Sequence, residues 1–479
     1  MSAGAANLKD IARTLFEQAL DECSIERAFE RKLRVVADEA GVRLSVEGGE
    51  AIALDRLRRV RVVAAGKAAA AMLNALLARL RMPSMCELQG VLIAAERPAN
   101  LPATIQYYCG GHPVPNEASF AGAKAALAML HALGGCTAHS KSMRDVSTQN
   151  FTPDETLCIF LLSGGASAMM ELPLDEAISL DDTVAFHRAL VQCGASIVEM
   201  NCVRKHFSAV KGGRLALAAG AAQTLSLLVS DVPPAHLDAL GSGPTVGDSS
   251  TVAECRKILA RYGLMERFPA SVRRFFASVE LPETPKPGEL NARCCKLVDS
   301  DDLAEAARRH AERLGFHAVI DNACDDWSYD AAANHLLKRL RELRRQHSRV
   351  CLISAGEVTV RVADSAASAR GGRNQHFALY MATRLLAEDG PIAVLSAGSD
   401  GIDGNSDAAG AIVDERTIDC DATRESALRA LAEFDSSTWL SWVGATVITG
   451  PTGHNLRDLR ILLADDGLRG LRPAMGYEL

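Results

Sequence analysis

The chain has few aromatic residues and no long hydrophobic run. Phe, Trp and Tyr make up only 5% of its 479 residues, so we expect a core of Leu, Val, Ile and Ala. No apolar stretch approaches the roughly 20 residues that a transmembrane helix needs. The net charge is −7, and no basic run with interleaved aromatics is present. We therefore expect neither a nucleic acid nor a membrane as partner.

Metal motifs and targeting signals are also missing. The thirteen cysteines are scattered without metal-type spacing, and Cys294-Cys295 is an adjacent pair rather than a CxxC motif. We expect no structural disulfide and no zinc. The N-terminal residues lack the basic and apolar blocks of a signal peptide, which favours a cytoplasmic protein.

The Walker A phosphate-binding loop is absent as well. Lys67 follows Gly66 on a predicted strand-to-helix turn, after the predicted strand 59–65. No glycine lies at the required upstream position, however, and Ala68 stands where Ser or Thr is needed. If this turn binds a phosphate, it does so in another way.

Strands and helices alternate in both halves of the sequence, which predicts an α/β protein with mainly parallel sheets. Helical spacing predicts a helix over residues 8–36, and strands are predicted over 317–320 and 358–362. Residues 281–290 hold three prolines and form the best linker candidate. We therefore expect two domains, residues 1–284 and 285–479. The polar segment 134–154 is predicted to be an exposed loop inserted before a buried strand.

That buried strand, residues 157–162, ends in Ser163-Gly164-Gly165-Ala166-Ser167. Adjacent glycines at the carboxyl end of a strand leave backbone N–H groups uncovered, and such a turn can cradle an anion. Gly371-Gly372 forms a second turn of this kind. A strand that ends in a glycine turn without any ligand is the alternative for each turn alone.

Charged residues recur beside glycine or in loops just past predicted strands, where ligands of α/β proteins bind. They are Lys67, Asp231, Glu357, Arg373, Asp400 and Asp403. Together with the glycine turns they supply what phosphoryl transfer needs. Lys67 and Arg373 can neutralise negative charge on the transferred phosphoryl group. The aspartates offer carboxylate oxygens that could bind Mg²⁺ or accept the proton of a substrate hydroxyl.

Two further basic features have a structural alternative. Arg204, Lys205, His206 and Lys211 form a basic stretch that either holds an acidic substrate or is a solvated helix surface. His112 lies between a double glycine and a proline, where it either orients a substrate or is structural.

Eleven collinear motifs span nearly the whole chain and resemble those of the glycerate 2-kinase family, whose C-terminal part carries the MOFRL module. In order they are GKAAAAM (66–72), GGHPVPNEAS (110–119), SGGASAMM (163–170), NCVRKHFSAVKGGRLA (201–216), SDV (230–232), GSGPTVGDSST (241–251), GEVTV (356–360), GGRNQHFAL (371–379), SDGIDG (399–404), DAAGAIVD (407–414) and GPTGHNLRDL (450–459).

The resemblance implies ATP-dependent phosphorylation of D-glycerate, with 2-phospho-D-glycerate as the expected product and ATP and Mg²⁺ as cofactors. It implies an N-terminal Rossmann-like three-layer domain, a smaller mixed α/β C-terminal domain, and an active-site cleft between them. It also implies functional roles for Lys67, Asp231 and Arg373 as catalytic residues. Several positions depart from the usual family pattern, among them Pro234 after SDV and His376 in GGRNQH.

The remaining candidate residues fall into three groups. Those for nucleotide or phosphate are Ser163, Gly164, Gly165, Ser167, Lys211, Gly371 and Gly372. Those for substrate are His112, Arg204, Glu357 and Asn374. The candidate Mg²⁺ ligands are Asp231, Asp400 and Asp403.

Three alternatives stay open at this point. The kinase could form 3-phosphoglycerate, because both hydroxyls fit a small polar site. Some family members carry the name hydroxypyruvate reductase, but no GxGxxG motif opens a βαβ unit here. A sugar-acid binding protein would not need Lys67 and Asp231 together. The sequence does not decide between a monomer and a homodimer.

Overall fold

The computed structural model describes residues 7–39, 41–47, 49–80, 82–133, 152–230, 232, 234–362, 369–386, 389–453 and 455–466. Asp231 and most of the predicted insertion, residues 134–151, lie outside the described residues. Within these ranges the cysteines are free thiols. No helix in the same ranges has the length and apolar character that crossing a bilayer requires.

The α-helices in chain order are α1 Leu8–Glu22, α2 Ile25–Lys32, α3 Ala69–Arg79, α4 Glu117–His131, α5 Ala166–Met169, α6 Leu180–Val191, α7 Ile197–Phe207, α8 Arg214–Ala218, α9 Val252–Arg261, α10 Leu264–Arg267, α11 Ala270–Ala277, α12 Ser300–Arg313, α13 Tyr329–Arg344, α14 Arg373–Arg384, α15 Asp421–Ala432 and α16 Ser436–Trp442. Short 3-10 helices cover Pro153–Glu155 and Pro234–Ser242.

The strands are β1 Leu33–Asp38, β2 Gly41–Val46, β3 Ile52–Ala53, β4 Arg59–Ala65, β5 Glu87–Ala94, β6 Ile105–Cys109, β7 Thr156–Leu162, β8 Gln223–Val229, β9 Ala292–Val298, β10 His317–Ile320, β11 Arg349–Ala355, β12 Ile392–Gly398, β13 Gly410–Asp414, β14 Thr446–Val447 and β15 Asp458–Asp465. They form a three-stranded sheet and two six-stranded sheets.

The chain divides into two compact units. The first, here called the N-terminal unit, runs from Ala28 to Leu297. The second, the C-terminal unit, combines the chain up to Arg27 with Val298 onward. Compared with the sequence-based ranges 1–284 and 285–479, helix α1 therefore groups with the C-terminal half. Its apolar residues Leu15 and Phe16 are fully buried, and Lys9 is ion-paired with Asp414 in β13 at 3.2 Å.

The large sheet of the N-terminal unit has the order β6-β5-β4-β7-β8-β9. The pairs β5/β6, β4/β5, β4/β7 and β7/β8 are parallel. Helices that cover both faces of a sheet require continuous apolar strands. All seven residues of β7 are buried accordingly. The predicted Rossmann-like domain is confirmed, with β4 and β7 adjacent at its centre.

The C-terminal unit contains a sheet of order β10-β11-β15-β12-β13-β14. Only β10/β11 is a parallel pair; β15 pairs antiparallel with both β11 and β12, and β12/β13 and β13/β14 are also antiparallel. The mixed α/β prediction is confirmed, but mainly parallel pairing holds for the large sheet of the N-terminal unit and not for this one. The reason is that β15, from near the chain end, inserts between two earlier strands.

Two local expectations were wrong. Residues 33–46 follow α2 as the antiparallel hairpin β1/β2, although helical spacing was expected as far as Val36. Residues 358–362 were expected to be a strand, but they form only an isolated bridge between Thr359 and Ser328. Both segments are short and partly exposed, so local pattern alone specifies them weakly.

Candidate active site

Lys67 lies at the carboxyl edge of the N-terminal unit's parallel sheet, on the turn between β4 and α3. The backbone N–H of Lys67 donates to Gly164 O at 2.8 Å, and the N–H of Ala68 donates to Ser163 Oγ at 3.0 Å. Gly66 has φ +120°, and a Cβ there would lie 2.6 Å from Ser163 O. These hydrogen bonds join the turn that follows β4 to the turn that follows β7. The hydroxyl of Ser163 is one of the acceptors in this contact.

The side chains of Lys67 and His112 meet over Gly165. A Cβ added to Gly165, whose φ is +84°, would lie 3.2 Å from Lys67 Cγ and 3.1 Å from His112 Cδ2. Desolvation, followed by the charge of Lys67, lowers the pKa of His112, which favours its neutral form. In the described part of the chain no carboxylate lies within 4 Å of the Lys67 ammonium, and no acceptor engages the amides of Gly164 and Gly165.

A cavity of about 570 Å³ lies beside this turn. Its polar lining comes from His112, Ser167, His187, Arg188, Gln192 and Arg204, and its apolar lining from Pro113, Val114, Pro115, Ala168, Val184, Val191 and Ile197. No carboxylate is among the described residues that line it. The cavity is therefore cationic with apolar walls, as an anion-binding site requires.

Arg204 has no carboxylate within 4 Å in the described structure. Its Nη1 donates to Asn201 Oδ1 at 3.3 Å, and its Nε is buried without a hydrogen-bond partner. Asn201 Oδ1 also accepts from Ser242 Oγ at 3.1 Å, and Ser242 Oγ lies 3.1 Å from Ser167 Oγ. This chain of bonds fixes the guanidinium at the cavity wall, where it can receive a carboxylate or phosphate.

Lys211, predicted to bind phosphate, lies inside the protein instead. Lys211 and Glu171 both have fully buried side chains and form an ion pair. His187 Nε2 lies 2.8 Å from the same Glu171 oxygen. Burial opposes ionisation, but Lys211 and His187 outweigh it and lower the pKa of Glu171 to about 2. The ammonium of Lys211 is thus already neutralised by the protein.

A second cavity, of about 640 Å³, lies in the C-terminal unit and brings together Glu357, Gly371, Gly372, Arg373, Asn374, Asp400 and Asp403. Arg373 Nε donates to Asp458 Oδ2 at 2.6 Å, and Arg373 Nη2 donates to Glu357 Oε1 at 2.6 Å. Although burial works against it, Asp458 and then Glu357 raise the pKa of Arg373. The arginine predicted to act on the phosphoryl group is thus oriented by two carboxylates.

The Gly371-Gly372 turn opens α14, and protein groups already occupy several amide donors at this helix start. Gly371 N donates to Asn405 Oδ1 at 2.8 Å. Asp403 accepts from two amides of the first helical turn, Asn374 N at 3.0 Å and Gln375 N at 2.8 Å. Burial raises the pKa of Asp403 to about 6 against the effect of these bonds. Asp403 therefore acts as the cap of this helix.

Asn374 is also internal. Its side chain is buried, its Oδ1 accepts from Ser396 Oγ at 2.7 Å, and its Nδ2 donates to Asp403 Oδ1 at 3.3 Å. In this structure the bonds of the Asn374 side chain stabilise the wall of the cavity.

The three candidate Mg²⁺ ligands are not assembled into a metal site. Asp231 lies outside the described residues, and Asp403 is used as a helix cap. Asp400 lines the cavity, and in the described ranges its carboxylate accepts one bond, from the Ile402 amide at 3.2 Å. Across the described ranges, no group of three or more His, Cys, Asp or Glu side chains is arranged to hold a metal ion.

Sequence reasoning missed the residues that hold these groups in place. Asp458 orients Arg373 from 85 residues away, Glu171 neutralises Lys211 from 40 residues away, and Asn201 fixes Arg204. For Asp458 the available signal was a charged residue in an otherwise apolar run, since β15 has the sequence DLRILLAD. Every residue of this strand is buried in the structure. Buried charges of this kind are normally paired.

Comparison with known proteins places the chain in a family. Residues 11–277 match the model described as "Domain of unknown function (DUF4147)", and residues 350–458 match the MOFRL family. A relative from Pyrococcus horikoshii named "Glycerate 2-kinase" is 32% identical, over 96% of this chain and 98% of its own. One from Agrobacterium vitis named "Putative hydroxypyruvate reductase" is 35% identical, over 84% and 86%.

The fold agrees with these matches. The crystal structure of a glycerate kinase from Thermotoga maritima superposes with a TM-score of 0.75 at 32% identity, and covers 95% of this chain and 99% of that one. The family resemblance inferred from the motifs is confirmed: the chain belongs to the glycerate 2-kinase family and carries its C-terminal MOFRL domain.

Proposed function

We propose that this protein transfers the γ-phosphoryl group of ATP to the 2-hydroxyl of D-glycerate, which yields 2-phospho-D-glycerate and ADP. The name of the Pyrococcus horikoshii relative supports the reaction and the position. The observation that carries the proposal is the arrangement around Lys67. An unpaired ammonium lies beside two unengaged amides at the carboxyl end of adjacent parallel strands.

This arrangement binds an anionic group of a substrate. An unpaired cation and backbone N–H donors at a strand end attract a phosphate oxygen or a carboxylate. Arg204 extends the cationic surface along the cavity wall, and His112, held neutral, adds a hydrogen-bonding group without further charge. Both ATP and glycerate carry such an anionic group.

The cavity of the C-terminal unit supplies the second set of groups. Arg373 is held by Asp458 and Glu357 through Nε and Nη2, and its Nη1 has no protein partner in the described structure. This end of the guanidinium would stabilise the negative charge of the transferred phosphoryl group. Asp400 has one carboxylate oxygen without a protein partner in the described structure, which fits a hard divalent cation. Asp400 would hold Mg²⁺, which when bound would neutralise charge on the nucleotide phosphates.

The test is a steady-state assay of ADP formation with purified protein, ATP and Mg²⁺, in which D-glycerate is added or withheld. We expect ADP formation that depends on D-glycerate. A parallel reaction with hydroxypyruvate and NADH or NADPH examines the reductase alternative. Oxidation of the nicotinamide without any glycerate-dependent ADP would overturn the proposal.

A further inference from the structure

We propose that Glu357 is the general base of the reaction, a conclusion that rests on the proposed kinase function. In the transfer, the O–H bond of the glycerate hydroxyl breaks as its oxygen forms a bond to the γ-phosphorus. The bond from that phosphorus to the bridging oxygen breaks, and its electron pair leaves with ADP. The proton passes to Glu357 Oε2.

The two carboxylate oxygens of Glu357 have different environments. Oε1 accepts from Arg373 Nη2 at 2.6 Å, which fixes the orientation of the carboxylate. Oε2 has no hydrogen-bond partner in the described part of the chain. The side chain is 29% exposed and lines the 640 Å³ cavity. One oxygen is therefore anchored by a cation while the other is left to receive a proton.

The backbone N–H of Glu357 is bound by a carboxylate that is itself ion-paired with an arginine. Glu357 N donates to Asp325 Oδ1 at 3.0 Å, and Asp325 accepts two bonds from Arg457, each of 2.6 Å. The preceding Gly356 has φ +110°, and a Cβ there would lie 2.6 Å from Asp325 Oδ1. The close approach of Asp325 therefore requires glycine at this position.

A third arginine binds the carbonyl end of the same peptide group. Arg460 in β15 is completely buried, and its Nη2 donates to Gly356 O at 3.0 Å. Gly356 N donates to Asp458 O at 3.1 Å, and the carboxylate of Asp458 binds Arg373. Arg373 thus fixes the side chain of Glu357. The peptide group between Gly356 and Glu357 is held at its oxygen by Arg460 and at its N–H by Asp325, the partner of Arg457. Such support is typical of a reacting group held in a productive orientation.

The other carboxylates of the cavity lack this combination. Both carboxylate oxygens of Asp403 accept hydrogen bonds from backbone amides of α14, and the residue is 2% exposed. Among the described residues, the Asp400 carboxylate is held by a single amide of its own loop. Asp326 has 73% of its side chain exposed at the rim. Glu357 alone among these four combines a cationic anchor with an open oxygen.

The electrostatics of the cavity agree with this role. Burial and next the negative charge of Asp458 raise the pKa of Glu357, against the opposing effects of Arg373 and Arg457. A base whose pKa lies closer to neutral pH takes up a proton more readily. The charged groups of the surrounding elements are Asp325, Asp326, Arg373, Asp400, Asp403, Arg457, Asp458 and Arg460.

The test compares Glu357→Gln with Asp326→Asn, a matched removal of one carboxylate charge from the rim of the same cavity. Gln keeps an oxygen that accepts from Arg373 but cannot take up a proton. We expect Glu357→Gln to lose about 10²- to 10⁴-fold in kcat, as for other general bases, with ATP affinity nearly unchanged. Asp326→Asn should keep the wild-type kcat.

The pH dependence separates a base from a merely positioning residue. Wild-type kcat/KM should fall as the pH drops through the raised pKa of Glu357, and this acidic limb should be absent in Glu357→Gln. Glu357→Asp, which retains a carboxylate, should keep the limb at a reduced rate. More than about a tenth of wild-type kcat in Glu357→Gln, or an unchanged acidic limb, would overturn the assignment. Wild-type protein without glycerate-dependent ADP formation would instead refute the proposed function.

Discussion

The backbone amide of Lys67 donates to the carbonyl oxygen of Gly164 at 2.8 Å, which joins the turns at the ends of β4 and β7. Because these strands are parallel neighbours, with Ala65 opposite Leu162, the two turns emerge side by side. The lysine is consequently held by its main chain, and its ammonium remains available to a ligand. This separation of backbone anchoring from side-chain function is the basis of the first prediction.

Lys67→Met should fold normally, because the side chain is exposed and only the backbone makes the contacts to Gly164. We expect kcat/KM to fall roughly 10- to 100-fold, the usual effect of losing a hydrogen bond to a charged group. Lys124→Met, an exposed lysine of α4, is the matched control. Steady-state kinetics with each substrate varied in turn will show whether ATP or glycerate loses affinity. Kinetics within twofold of the control would exclude Lys67 from the site.

Arg373→Lys tests the planar guanidinium. Arg373 binds Asp458 and Glu357 simultaneously, and a lysine ammonium lacks the fork that does so. We expect the loss to fall mainly on kcat and to reach roughly 10- to 100-fold, with circular dichroism unchanged. Arg370→Lys, an arginine with no ion pair in the described structure, serves as control. A variant with near-normal kcat would remove Arg373 from the chemistry.

The Glu171–Lys211 pair should govern stability. Lys211→Met leaves the Glu171 carboxylate buried without its main partner, and we expect a loss of about 3–5 kcal/mol in the free energy of unfolding. The double variant Glu171→Gln/Lys211→Met should be less destabilised than this single one, because it removes both charges. Urea unfolding at neutral pH measures the three proteins. A double variant less stable than Lys211→Met would contradict the pairing.

The same pair predicts a dependence on pH. The pKa of Glu171 is about 2 in the folded protein, below its ordinary value of 4.5. A lowered carboxyl pKa contributes stability that is present above pH 4.5 and is lost as the pH falls toward 2. The acid destabilisation of wild-type protein should therefore be steeper than that of Glu171→Gln. Parallel unfolding curves for the two proteins between these pH values would disprove the pairing.

Gly372→Ala tests whether close approach of Asp403 explains the second glycine turn. A Cβ at Gly372 would lie 2.5 Å from both the carbonyl carbon and Cγ of Asp403. We expect a loss of about 1–3 kcal/mol in stability, as for other overpacked sites. Gly49→Ala is the control, because its nearest neighbour would be Val46 O at 3.7 Å. Equal thermal stability of the two variants would show that Asp403 moves aside without cost.

Local features of the sequence were enough to predict the elements with strong periodicity. Strand β4 was predicted with the bounds observed, Arg59–Ala65, and so was β10, His317–Ile320. The order of the C-terminal sheet was not predictable, because β15 takes its place through pairing with strands far away in the sequence. Short-range patterns carry no information on such pairing.

The same distinction applies to the site. Glycine turns after buried strands indicated Lys67 and Gly165 as site residues. The structure places the side chain of Lys67 against the backbone of Gly165. Sequence patterns did not reveal that Lys211 is paired with Glu171, because a basic segment looks alike whether its lysine faces a substrate or a buried carboxylate. Lys211 lies in the turn between α7 and α8. Asp231 lies outside the described residues, and its role remains a prediction.

The most direct measurement is ³¹P NMR of the product formed by the purified protein from ATP, Mg²⁺ and D-glycerate. The proposed reaction predicts one new phosphomonoester signal, that of 2-phosphoglycerate, in equal amount to the ADP produced. A signal of 3-phosphoglycerate would contradict the assigned position while preserving the kinase reaction. Unchanged ATP and glycerate, under conditions in which the protein is folded, would contradict the account as a whole.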